Sequence, residues 1–212
     1  MSNVLVFGHQ NPDNDAIMSS VVLSQLLNQV EFDGNTYQAC CLGPLPAESA
    51  KLLEDNGVAA PMLIDAIEPA AEGEEAQLVV LCDHNEPGQS VTGLENAVIA
   101  GVVDHHRFGN FTTAAPLHIV GSSCSIVAKL FEVLGVEPTD VQAKLLLSAM
   151  MTDTLMLKSP TATAIDAAIA KKLGDQIGVD PVKFGMEVFL TRPSGSFTAE
   201  QMVGKDIKMF EV

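Results

Sequence analysis

Alternating strand-like and helix-like segments predict an α/β fold, a mostly parallel open sheet with helices on both faces. Three observations lead there. Short apolar runs such as Val4–Phe7 and Leu78–Cys82 read as strands buried on both sides. Segments with helical spacing of apolar residues separate such runs. Acidic and histidine residues follow the apolar runs directly, at the strand ends where open α/β sheets collect ligands.

The elements follow in order. Asn3–Gly8 reads as the first strand, and Ala16–Gln29 as a helix with apolar residues at Ile17, Val21, Leu23, Leu26 and Leu27. Tyr37–Leu42 is a second strand. Ala47–Asn56 is a short helix stopped by Gly57, a residue suited to a left-handed helix end. Met62–Ile64 is a short strand, and the acidic, alanine-rich Glu68–Gln77 a solvated loop or short helix. Gln77–Cys82 and Val98–Val103 read as buried strands, joined by a helix-containing connection over Glu86–Asn96. Leu117–Val120 is a short strand leading into Gly121-Ser122-Ser123. Ser125–Leu134, Thr139–Met151, Thr163–Gly174 and Asp180–Leu190 are helices. Residues 1–190 are expected to form one domain, and 191–212 a linker and the start of a further domain outside this chain.

Composition narrows the function. The chain has 212 residues and a net charge of −16, with two arginines, Arg107 and Arg192. So acidic a surface repels a nucleic-acid backbone and suits cation binding. No apolar run reaches the roughly 18 residues of a membrane span, and no secretory signal is present, so a cytoplasmic protein is expected. The cysteines Cys40, Cys41, Cys82 and Cys124 form no Cys-x-x-Cys pair, which excludes zinc-ribbon and thioredoxin-like sites.

Four stretches carry the chemistry. In the first, His9 follows the first strand, and Asp13 and Asp15 lie two apart. In extended chain both carboxylates would lie on one side. The competing use is helix capping by Asp15 or Asn14. In the second, Asp83 ends an apolar strand, while His84 reads as a hydrogen-bonded structural histidine. In the third, Asp104-His105-His106, neighbouring side chains near a strand end point apart. One histidine can then bind a metal and the other face a substrate, with Asp104 holding an imidazole tautomer. In the fourth, Asp153 follows a helix in apolar surroundings, where a buried carboxylate needs a partner or a metal. Gly121-Ser122-Ser123, ahead of a helix, is a weaker candidate anion cradle. So many oxygen and imidazole ligands suggest two divalent ions, and two ions suggest phosphoryl chemistry.

These motifs resemble those of family II, manganese-dependent inorganic pyrophosphatases of the DHH phosphoesterase superfamily. The matching stretches are His9-x-x-Pro-Asp13-x-Asp15, Asp83-His-Asn-Glu, Asp104-His105-His106 and Thr-Asp153-Thr-Leu followed by Lys158-Ser159-Pro160-Thr161. The resemblance implies a catalytic centre with two Mn2+, Co2+ or Mg2+ being substitutes. It implies that His9 and Asp13 bind one ion, that Asp15, His105 and Asp153 bind the other, and that Asp83 bridges them. His106 would face the pyrophosphate, and Lys208 would contact it from the start of a second, cation-rich domain. The resemblance is also compatible with a sheet-edge homodimer. Asn14 stands where the family usually has Thr or Ser. The rival readings are a DHH phosphoesterase acting on short oligonucleotides or bisphosphate nucleotides, and a non-catalytic metal-binding or dimerisation module.

Overall fold

The computed structural model describes residues 2–107 and 120–192. The expectations for Leu117–Ile119, Lys208 and the stretch 193–212 lie outside them. Five strands, β1 (Asn3–Phe7), β2 (Thr36–Cys41), β3 (Met62–Leu63), β4 (Leu78–Cys82) and β5 (Val98–Val103), form one parallel sheet in the order β3-β2-β1-β4-β5. The α-helices are α1 (Asn14–Gln29), α2 (Ala47–Asp55), α3 (Ser123–Val133), α4 (Asp140–Asp153), α5 (Ala164–Ile177) and α6 (Pro181–Leu190).

From β1 the chain builds outward through β2 to β3, then returns to the other side of β1 for β4 and β5. Neighbouring strands β1 and β4 therefore send their connections in opposite directions. A crevice opens beyond their carboxyl ends, the usual place for a site in such sheets. Right-handed crossovers running in opposite directions fall on opposite faces. Accordingly Val4, Val6, Val80 and Cys82 pack with all six α-helices. Leu5, Phe7, Val79 and Leu81 pack with Ile67, Val91 and Leu94. The α/β class is as expected, but among the described residues the cover on this second face is the short 3-10 turn Leu94–Asn96 and adjoining loops, not α-helices.

One strand differs from expectation. Val98–Val103 is not buried: Val98, Ile99 and Val102 are about half exposed. Among the described residues β5 pairs only with β4, so it is an edge whose apolar residues have no second neighbour.

Helices α1 and α4 pack against each other and are buried nearly all round, which explains their lack of a clear polar face. They carry Asp15 and Asp153 to the sheet edge. The turn from β1 into α1 is tight. A Cβ on Gly8 would lie 2.5 Å from Ala16 Cβ and 2.7 Å from Ala16 O. Gly8→Ala is therefore expected to destabilise the fold by about 1–3 kcal/mol, as overpacking does. A urea midpoint equal to that of the unchanged chain would disprove that contact.

Candidate metal centre

Each candidate side chain reaches the crevice from a different element. His9 follows β1 and is buried. Asp13 caps α1, its Oδ1 accepting the Ala16 N–H at 2.9 Å. Helix α1 thus starts two residues earlier than the sequence suggests. The cap is Asp13, not Asp15 or Asn14, and the extended-chain argument for the Asp13–Asp15 pair does not apply. Asp15 instead sits in the first turn of α1, fully buried. Asp83 follows β4 at φ +58°, a left-handed conformation that costs a non-glycine residue about 1–3 kcal/mol. Asp153 is the last residue of α4. The three residues Leu155, Met156 and Leu157 then take positive φ in succession. This left-handed turn, closed by Lys158 and Ser159 N–H groups on Thr154 O, reverses the chain and leaves the Asp153 carboxylate at the helix end.

The side chains converge. Asp83 Oδ2 lies 3.4 Å from His9 Nε2, while Oδ1 lies 3.2 Å from His105 Nε2 and 3.6 Å from His106 Nδ1. His9 Nε2 also faces Asp13 Oδ2 at 3.7 Å. His105 Nε2 faces Asp153 Oδ2 at 3.5 Å and Asp15 Oδ2 at 3.9 Å. Two groups able to hold a cation share this edge, His9–Asp13–Asp83 and Asp15–His105–Asp153, and a third, Asp83–His105–His106, joins them. Asp83 alone presents one oxygen to each side.

Supporting contacts orient these groups. His105 Nδ1 pairs with Val120 O at 3.2 Å, which leaves Nε2 for the crevice. Asp104 Oδ1 accepts from His106, through the backbone N–H at 3.1 Å and through Nδ1 at 2.8 Å. Asp104 thus orients His106. The two histidine rings do not point apart as strand geometry suggested. Their centroids are 4.2 Å apart, because both residues lie beyond the end of β5. His84 is structural, its ring nitrogens meeting Cys82 O and Ser90 Oγ at 2.8 and 3.0 Å.

The Gly121-Ser122-Ser123 stretch cradles an internal anion. Asp15 accepts from Ser122 Oγ at 2.7 Å, Ser123 N at 2.6 Å and Cys124 N at 3.0 Å, at the N-terminus of α3. Ser123 Oγ donates to Asp83 Oδ1 at 3.1 Å.

The electrostatics call for cations. Four carboxylates meet here, and every ion pair among them uses histidine, never lysine or arginine, among the described residues. Burial, then the charge of Asp83, raises Asp15 to about 6; burial, then Asp15 and Asp83, raises Asp153 to about 9. Burial disfavours charge on His9 and His105, yet their carboxylate neighbours outweigh it and lift each to about 10. In return the two imidazoles overcome burial and hold Asp83 well below the usual range. Protons thus occupy a site whose donors suit metal. His9 Nε2, buried and without a hydrogen-bond partner of good geometry, points the same way. A pair of divalent cations would balance four carboxylates.

Comparison with known proteins gives the family. The model of the DHH family, N-terminal domain, matches residues 3–157. A protein of Streptococcus agalactiae named "Probable manganese-dependent inorganic pyrophosphatase" is 42% identical over 217 residues, covering 100% of this chain and 68% of its own length. The chain belongs to the manganese-dependent pyrophosphatase branch of the DHH family. A relative of the same name from Streptococcus mutans is also 42% identical, with the same coverage. A solved structure, "Crystal structure of Methanococcus jannaschii putative family II inorganic pyrophosphatase", superposes with a TM-score of 0.72 at 33% identity, over 89% of this chain and 61% of that one.

Within this DHH chain, Asn14 is buried and not an idle replacement. Its side chain accepts from Ser49 Oγ at 2.9 Å and donates to Ser148 and Thr152 Oγ at 3.3 and 3.4 Å, linking α1, α2 and α4. One of the two arginines, Arg192, is spent elsewhere, on an ion pair with buried Glu48 at 2.8 Å. Sequence reasoning missed the serine contacts to Asp15 and Asp83 and the buried Asp166. The first had a signal in the Ser-Ser pair ahead of a helix; Asp166 had only the Thr163-x-x-Asp166 capping pattern.

Proposed function

We propose that this chain is the manganese-binding part of an inorganic pyrophosphatase, a hydrolase that splits pyrophosphate into two phosphates. The observation that supports it best is the divided Asp83 carboxylate, one oxygen towards His9 and the other towards His105. In this reading His9 and Asp13 would hold one Mn2+, Asp15, His105 and Asp153 would hold the other, and Asp83 would serve both. Mixed imidazole and carboxylate donors favour manganese over magnesium, with Co2+ a substitute and Mg2+ a poorer one. When bound, the two ions neutralise phosphate oxygens and acidify an attacking water. His106 is the substrate-facing group: its Nδ1–H donates to Asp104, which leaves Nε2 towards the substrate, where it donates to a phosphate oxygen when the ring carries both protons. Lys208 is the further substrate contact in this reading.

Calorimetric titration of the 212-residue chain is expected to give two Mn2+ per chain with little turnover. A protein as long as the Streptococcus relatives is expected to release phosphate from pyrophosphate and to leave a dinucleotide untouched. Absence of stoichiometric Mn2+ binding would end this reading, and cleavage of the dinucleotide in preference would move it to the oligonucleotide-cleaving DHH enzymes. Acidity argues against a nucleic-acid partner. Four free thiols fit a reducing cytoplasm, and no described helix is long and apolar enough to cross a membrane.

The apolar edge of β5 supports a homodimer made by pairing with a second copy. Ile99→Lys is expected to shift the native mass from dimer towards monomer. An unchanged mass would remove β5 from the interface.

A further inference from the structure

Asp166 is fully buried, and no described lysine, arginine or histidine pairs with it. Its Oδ1 accepts from Gly121 N at 3.0 Å and Ser125 Oγ at 2.6 Å; its Oδ2 accepts from Gly121 N at 2.9 Å and from Thr163 N and Oγ1, each at 2.7 Å. Capping of α5 accounts for the Thr163 contacts alone. Gly121 and Ser125 belong to the entrance of α3, the helix end that presents Ser122, Ser123 and Cys124 to Asp15 and Asp83. Gly121 is also wedged: a Cβ there would lie 2.6 Å from Thr154 Cγ2, next to Asp153, and 3.2 Å from Asp166 Oδ2. The entrance of α3 is thus clamped between a carboxylate behind it and two candidate ligands in front.

We propose that Asp166 is a positioning residue, which through Gly121 and Ser125 sets the N-terminus of α3 and so fixes the Asp15 carboxylate for its cation. The proposal rests on the metal reading above. It predicts a one-sided effect, because α3 grips Asp15 and touches Asp83 but makes no contact with Asp13 or His9 among the bonds described.

The test uses Asp166→Asn in two backgrounds, Asp13→Asn, which keeps the Asp15–His105–Asp153 group, and Asp153→Asn, which keeps the His9–Asp13–Asp83 group. Mn2+ titration is expected to show a weakening of about 10-fold in the first, the low end of the effect of losing a group bonded directly to a ligand, because Asp166 acts one contact further out. In the second the change should stay under about threefold, as for uncoupled sites. Equal weakening in both backgrounds would mean general loosening and overturn the proposal. Amide exchange in the metal-free protein is a separate measurement. Asp166→Asn is expected to speed exchange at Ser123 and Cys124 while Val6 and Val80 in the sheet stay protected. Unchanged exchange at Ser123 and Cys124 would overturn the clamp even if no chain binds Mn2+, an outcome that would sink the metal reading separately. Ser125→Ala, which leaves every carboxylate in place, should move both readouts in the same direction by less. It carries the test if Asp166→Asn does not fold.

Discussion

Asp83→Asn is expected to weaken Mn2+ binding on both sides of the centre at once, by about 100-fold or more, the upper end of what even outer-shell substitutions cost. The reason is geometric. Of the described histidines Asp13 faces only His9 and Asp153 only His105, but Asp83 gives one oxygen to each imidazole. Asparagine keeps the shape and tolerates the left-handed backbone at φ +58°, so the effect should not come from unfolding. Single substitutions Asp13→Asn and Asp153→Asn should each spare the opposite group. The measurement is a two-site titration on all three variants. If Asp83→Asn leaves one site at its original affinity, the shared-carboxylate geometry is wrong.

The gain in thermal stability on adding Mn2+ is expected to grow as pH rises from 6 to about 8.5. Against burial, His9 and His105 are lifted by their carboxylate neighbours from 6.5 to about 10. A raised histidine contributes stability that is complete below pH 6.5 and lost as pH climbs through about 10. Asp153, raised from 3.8 to about 9 by burial and by Asp15 and Asp83, also holds its proton more tightly in the folded state. Its share of stability likewise falls as pH rises towards 9. The metal-free fold therefore weakens over this range. The ions require the same groups deprotonated, so their affinity increases with pH and binding releases protons. Melting curves with and without Mn2+ at several pH values decide it. A gain that shrinks or stays flat with rising pH would show that protons and ions do not compete for these groups.

Legibility tracked the range of the interaction. Helices with local caps were read within a few residues: Thr139, Thr163 and Asp180 are the caps of α4, α5 and α6. The stop at Gly57 is likewise local, a positive φ of 64°. The start of α1 was misplaced because Asp13 serves both as cap and as candidate ligand, and the ligand pattern masked the cap. The burial of β5 was misjudged because apolar content marks a strand but not its place in the sheet. The close, tilted approach of the His105 and His106 rings was missed because strand alternation ends where β5 ends.

The amino-acid sequence by itself determined the class of the fold, the family and the candidate ligands. These rest on residue identity, local periodicity and short spacings. Only the tertiary structure decided that Asp83 divides its oxygens, that Asp15 lies in the donor ring of α3, and that Asp166 stands behind it. Those contacts join residues from 22 to 109 positions apart. Strand order and helix packing set such distances, and no local pattern in the chain encodes them.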